Sequence, residues 1–405
     1  MAAQEGIVRP AWAATGLVPA LTVAAFVNHL NVIAWNPFLP FIAEAHGIGI
    51  AILGQLPAFL LVLSAVLGLV IGPIADSYGY RSTMVLSLLA VVASSLATGL
   101  STMLPVLVLA ALLGAVGRAA IMPVAQAVGA AVFPDDSAAR RRAVSRIQNG
   151  GPLAATFGIP LLTLIAGVVQ WRGAFVLVSA LALTVGLILL RIMGREESPR
   201  AVRASLTEIF SAYRPVLRDR PSLILIVAAA LENTGVNAMW TYYGAFYVQR
   251  HGFSIEQVGW VSLAAGFGVF LGQIAAGTRL GGRPHALFIG GCAGSGSLIG
   301  LSVMLALPVT AAMALMATGW LLHGLTMVSA VVLLVGQSPA GRATILTLYG
   351  SAMSFGMALG AVFGGAALAI AGYYALGVCT MALPIAAVVL VSFGRLNRRS
   401  PPDER

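Results

Sequence analysis

Long apolar runs separated by short polar breaks make up nearly the whole chain. Twelve runs can be counted: roughly 15–42, 51–73, 83–101, 105–133, 147–169 and 174–193 in the first half, then 221–248, 257–278, 285–306, 308–336, 343–371 and 375–394 in the second. Each is long enough to cross a bilayer as a helix, which takes about 20 apolar residues. Glycine, proline and charged residues fill the breaks. The longest break, 194–220, divides the chain nearly in half. Within it, Ser205 and Glu208 have capping-box spacing, and Leu206, Ile209, Phe210 and Tyr213 supply one apolar face. That pattern predicts a short amphipathic helix lying along the inner membrane surface. The expected architecture is an all-α integral membrane protein. It has a six-helix bundle over 1–193, a linker over 194–220, and a second bundle with a short tail over 221–405.

Composition agrees with this pattern. The 405 residues are 59% hydrophobic and only 9% charged, with mean hydropathy +0.94; soluble domains are about a quarter charged. The net charge of +10 would suit a nucleic-acid binder, but the arginines lie in short breaks between apolar runs, which argues against a nucleic-acid partner. They orient the chain instead. All 23 basic residues are arginine. With the N-terminus inside, twenty fall on the inner side, Arg172 and Arg250 fall outside, and Arg118 sits within a run. Such a bias places both termini and the 194–220 linker in the cytoplasm, across an inner (plasma) membrane. Arg9 precedes one long apolar run, without the layout of a cleavable signal. Cys292 and Cys379 lie inside apolar runs far apart in sequence, so both read as small buried hydrophobes. No metal or other cofactor is expected.

The two halves match at a constant offset of 205 residues. Asn28 falls on Asn233, Trp35 on Trp240, His46-Gly47 on His251-Gly252, Gly54 on Gly259, Gly114 on Gly319 and Gly151 on Gly356. Paired tryptophan, asparagine and His-Gly at one offset point to two parallel six-helix repeats.

A few residues are costly where they sit. Of 13 acids, only Glu232 lies deep within a run. A charge at the bilayer centre costs at least about 2.5–3.5 kcal/mol, so such residues usually face a cavity and serve a function. Near Glu232 in sequence are Asn233, Asn237 and Trp240; the first run offers Asn28, His29, Asn31 and Trp35. The fourth run offers Arg118 and Gln126, and the tenth His323, which the repeat sets opposite Arg118. The asparagines are equally readable as hydrogen-bond ties between helices. Glu232 is the candidate proton-coupling carboxylate, because desolvation penalises its charged form and protonation relieves the penalty. An ion pair between Glu232 and Arg118 is the competing arrangement.

The break after the second run reads Gly72-Pro73-Ile74-Ala75-Asp76-Ser77-Tyr78-Gly79-Tyr80-Arg81. It resembles the loop between the second and third helices of the major facilitator superfamily of transporters. A second hairpin, ending at Arg283, lacks the acid. Further resemblances are the segment around Arg118, Gly151-Pro152 in the fifth run, and Trp171-Arg172-Gly173-Ala174-Phe175 opening the sixth. Leu348-Tyr349-Gly350-Ser351-Ala352 through Gly364-Gly365 has the same look. Together these are closest to the twelve-span drug and sugar efflux branch, although Ala155 and Thr156 stand where that branch carries paired glycines. The resemblance implies that the first, fourth, seventh and tenth spans line a central cavity. It also implies that Gly72, Asp76, Gly79 and Arg81 form a conformational latch, with Asp76 set against Gly341-Arg342-Ala343.

The resulting expectation is a proton-coupled secondary transporter, acting as a monomer and exporting a small amphipathic or cationic compound by alternating access. An uptake symporter for an organic anion held by Arg118 is the nearest rival. A membrane-embedded transferase would need two acidic clusters, and Asp135-Asp136 is the one adjacent acidic pair in the membrane-associated part. A transport-like sensor is a further class. A phosphate-binding loop of the Gly-x-x-x-x-Gly-Lys type is impossible in a chain without lysine.

Overall fold

The computed structural model describes residues 11–133, 136–193, 214–276, 283–337 and 342–396. Every regular element among them is helical. Ten helical stretches are long and apolar enough to cross a membrane. Two of these fold back within themselves: Arg142–Ile192 turns at Gln170, and Leu348–Phe393 turns at Ala371 and Gly372. Ten stretches thus carry twelve membrane-spanning helices, in agreement with the twelve apolar runs.

Prolines set several breaks inside the spans. The first apolar run is two helices, Ala11–Ile33 and Trp35–His46. The first of these ends four residues before Pro37, whose ring clashes with the carbonyl at that position in a continuous helix. In the same way Ser137–Gln148 ends four residues before Pro152. A π-helical turn over Ala154–Gly158 then precedes Pro160. The arginine-rich segment before the fifth span, a polar break between apolar runs in the sequence, is itself helical. The seventh span, Arg220–His251, starts with Asp219 accepting a hydrogen bond from the Ser222 backbone N–H at 3.0 Å, with Pro221 in the first turn.

The repeat appears in the helix ends. Trp35–His46 and Arg220–His251 both finish on a histidine and are capped by left-handed glycines, Gly47 at φ 61° and Gly252 at φ 68°. It appears in packing too. A Cβ at Gly151 would lie 3.6 Å from the His29 ring, and one at Gly356 would lie 3.2 Å from Thr234 Oγ1, the residue the offset pairs with His29.

The described residues divide into two compact units. One draws on Met1–Ile33, Val66–Gly158 and Arg172–Val202; the other draws on Ala34–Ala65, Ile159–Trp171 and Arg203–Arg405. The segments 34–65 and 159–171, which precede the linker in sequence, thus belong with the later helices.

In the second unit the seventh span is the most enclosed of the candidate spans, 72% buried against 33–61% for the others. It packs along the eleventh span through a seam of glycines. A Cβ at Gly356 would lie 2.9 Å from Ala230 O, one at Gly360 2.6 Å from Thr234 O, and one at Gly364 3.0 Å from Ala238 O. Both helices advance four residues per contact, so only glycine allows the backbones to come this close.

Candidate functional site

In the second unit, Glu232 is 2% exposed and fully engaged. His323 Nδ1 lies 2.9 Å from Oε1 and 3.1 Å from Oε2. Ser295 Oγ donates to Oε1 at 2.9 Å. The seventh, ninth and tenth spans supply one residue each. His323 leads to an aromatic row. Trp320 meets its ring edge-on at 5.5 Å, Trp240 meets Trp320 edge-on at 4.9 Å, and Trp240 stacks on Tyr243 at 5.0 Å. Trp240 is half-buried, whereas Trp320, Tyr243 and His323 are buried. The Trp320 indole N–H has no hydrogen-bond partner among the described residues.

Asn233 and Asn237 act differently. Asn233 Nδ2 donates to Met353 O at 2.8 Å, while Asn237 Nδ2 donates to Asn233 Oδ1 at 2.8 Å and to Asn233 O at 2.9 Å. This ladder binds the seventh span to the eleventh beside the glycine seam. Asn233 is thus a tie between helices, and Asn237 holds the Asn233 amide in place from the same helix.

In the first unit, Asn31 is also a tie, donating to Ser95 Oγ at 2.8 Å. Asn28 is buried, and its Oδ1 has no partner among the described residues. His29 and Arg118 are both half-buried. Among the described residues of this unit, no carboxylate lies within 4.0 Å of Arg118 and none accepts a hydrogen bond from it. Each unit thus brings some of the expected polar residues together. Within its own cluster Glu232 is paired with His323.

In the 72–81 segment, Gly72 and Asp76 are helical in backbone, within Gln55–Tyr78. Their side chains, and Gly341 of the expected latch, lie outside the described residues, as do the Ser205–Glu208 capping box and the amphipathic helix expected there. Gly79 carries the turn, at φ 88° and ψ 143°. Arg81 Nη2 donates to Leu190 O at 2.5 Å, at the end of the sixth span. A cation there complements the negative end of the helix dipole.

Sequence reasoning missed Ser295 and Trp320. A serine inside a helix ordinarily bonds its own backbone, so nothing marked this one. Trp320 stands three residues before His323, on the same helix face, and that spacing was a usable signal.

Comparison with known proteins agrees with the fold. A relative from Mycolicibacterium smegmatis, named as an MFS-type efflux pump, is 29% identical over 265 residues, covering 62% of this chain and 58% of the pump. Among solved structures, a bacterial homolog of the human lysosomal transporter Spinster, inward-facing and unoccupied, superposes with TM-score 0.74 at 18% identity. The match covers 96% of this chain and 99% of that one. The nucleoside transporter NupG superposes with TM-score 0.74 at 13% identity, covering 95% of this chain and all of that one. These structures share the fold, and they are transporters rather than enzymes. The sequence profile of the Major Facilitator Superfamily matches residues 21–320, and with that match over most of its length the chain belongs to the major facilitator superfamily of membrane transporters.

Proposed function

We propose that this chain is a proton-coupled secondary transporter of the inner membrane, exporting a small amphipathic compound by alternating access, with Glu232 and His323 as the proton-coupling pair. The observation that carries this is the placement of Glu232. It is a carboxylate at 2% exposure inside a membrane span, held by His323 Nδ1 at 2.9 Å and Ser295 at 2.9 Å. Two titratable groups sharing a bond in a dry setting change their proton count together. Such a pair can take up a proton when the cavity opens to one side and release it to the other. The aromatic row runs from this pair to the half-buried Trp240.

Export is favoured by the efflux-pump relative, and orientation by the arginine distribution. Both termini and the 194–220 linker are assigned to the cytoplasm. The two six-helix halves, 1–193 and 221–405, are assigned as the rocking bodies. A cationic substrate drawn to Glu232 is less favoured than the sequence alone implied, because that carboxylate already has two partners. The test is a flux assay in proteoliposomes loaded with a pH-sensitive dye, over a panel of amphipathic compounds with and without an imposed pH gradient. Compound-dependent collapse of the gradient should occur with the wild type and be lost in Glu232→Gln. An equally active Glu232→Gln protein would exclude this pair as the coupling site.

A further inference from the structure

We propose that the helix Ser137–Gln148 is a binding site for anionic phospholipid, with Arg142 and Arg146 holding a headgroup phosphate at the inner face of the membrane. The inference does not depend on proton coupling; it needs only the membrane span that follows the helix. This helix of 12 residues carries arginine at 140, 141, 142 and 146 and no acid. The fold does not require such a charge. The equivalent stretch 205 residues on, 342–353, has one arginine, Arg342. Like charges four residues apart on a helix destabilise it, and Arg142 and Arg146 have that spacing. An anion seated between them relieves the cost.

The helix is firmly placed on one side and open on the other. Ala143 and Ile147 are buried. A Cβ at Gly129 of the fourth span would collide with the Ile147 side chain, and one at Gly150 would lie 2.7 Å from Thr22 O of the first span. Arg140, Arg142, Ser145 and Arg146 are exposed. Arg142, Ser145 and Arg146 stand at i, i+3 and i+4 and so share a face. Two guanidinium forks with a hydroxyl between them suit a phosphate, which accepts paired bonds from arginine. Asp136 is the local rival. Its Oδ1 caps the helix by accepting from the Ala139 N–H at 2.9 Å, and its Oδ2 lies 3.9 Å from Arg142. Those side chains are 58% and 63% exposed, and so long a pair in water is worth little. The level in the membrane also fits. Asn149, after the helix, keeps helical angles at φ −66° and ψ −13°, and the apolar run of the fifth span begins at residue 147. From Arg142 to Arg146 the helix rises about 6 Å, which matches a headgroup layer of about 5–7 Å on each side of the hydrocarbon. The arginine distribution assigns this end to the cytoplasmic leaflet, whose anionic lipids attract basic segments next to a span.

The test uses full-length protein purified in mild detergent at one fixed ionic strength. The probes are phosphatidylglycerol, phosphatidylcholine with the same acyl chains, and glycerol phosphate, which has the headgroup chemistry without the chains. Binding is read as lipid retained on the protein in native mass spectrometry, across a titration. Each arginine near an anionic surface is worth about fivefold in affinity. Phosphatidylglycerol should therefore half-saturate at a concentration at least about 25-fold lower than phosphatidylcholine. Arg142→Gln and Arg146→Gln should each cut that preference about fivefold, and the double variant about 25-fold. Arg142→Lys with Arg146→Lys should keep part of it. Arg250→Gln, which removes an exposed arginine outside this helix, should leave it unchanged. Glu232→Gln should bind phosphatidylglycerol as the wild type does, so failure of proton coupling and failure of this site are separate results. The proposal is overturned if phosphatidylcholine binds equally well, if the preference survives both glutamine substitutions, or if Arg250→Gln lowers it as much. Glycerol phosphate saturating at the same concentration as the lipid overturns it too, since the helix would then be a site for a soluble anion.

Discussion

His323 Nδ1 stands 2.9 Å from one oxygen of Glu232 and 3.1 Å from the other, so a single ring nitrogen faces the whole carboxyl group. The pair crosses from the seventh span to the tenth, where the sequence offers no other acid. The two side chains should behave as one element.

That unity can be measured as non-additivity. Removing one partner of a buried pair costs about 3–5 kcal/mol, because the other is left uncompensated. His323→Ala should therefore lower the thermal midpoint clearly. In a Glu232→Gln background the same change should cost much less, with a coupling of about 0.5–3 kcal/mol. Additive shifts across the four proteins would mean that the contact carries no joint energy.

The glycine seam predicts a contrast within one helix. A Cβ at Gly360 would lie 2.6 Å from Thr234 O and 2.9 Å from Ala238 N, backbone atoms that cannot step aside. At Gly350 nothing lies within 4 Å. Gly360→Ala should cut folded yield and lower the midpoint by several degrees. Gly350→Ala should be neutral or slightly stabilising, since alanine in a helix is better than glycine by roughly 0.5–1 kcal/mol. Equal tolerance at both sites would show that the two spans are not closely packed.

At the turn between the second and third spans, Gly79 has φ 88°, a region that side chains with a Cβ avoid. Gly79→Ala should cost about 1–2 kcal/mol, and Gly79→Asn less, because asparagine tolerates positive φ. Ranking the three proteins by thermal midpoint checks this; an alanine variant as stable as the wild type would contradict the turn geometry.

The twelve spans were legible because crossing a bilayer demands length and apolarity, and both are written along the chain. Glu232 and His323 were legible for a related reason: ionisable groups are costly in an apolar run. Their pairing was not, since sequence depth alone allowed Arg118 as well. The asparagines show the limit most clearly. Asn233 and Asn28 occupy repeat-related positions, yet Asn233 donates to Met353 O while Asn28 Oδ1 has no partner among the described residues. An amide carries donor and acceptor in every direction, and only packing selects the one used. The helix break before Pro37 was readable from the proline. The grouping of 34–65 and 159–171 with the later helices was not, because it depends on long-range contacts that leave no local pattern.

Tyr242 offers a last prediction, on the side that the arginine pattern assigns to the outside. Its hydroxyl donates to Ala361 O at 3.0 Å and accepts from Gln55 Nε2 at 3.4 Å, and the Gln55 amide also reaches Ala361 O at 3.4 Å. The start of the second span, the seventh span and the eleventh are thereby joined at one buried phenol, with Gly54 and Gly365 leaving space for its ring. If solute access from outside requires this junction to part, then Tyr242→Phe should ease opening, because it removes the hydroxyl and keeps the ring. A net hydrogen bond of about 1 kcal/mol corresponds to a roughly fivefold change in an opening equilibrium. The reporter is Ala58→Cys, a buried position one turn below Gln55, with Cys292→Ala and Cys379→Ala to clear the background. Labelling by a membrane-impermeant maleimide from outside should rise about fivefold in the Tyr242→Phe protein. Unchanged labelling, with the midpoint intact, would show that the junction is a fixed strut that does not take part in opening.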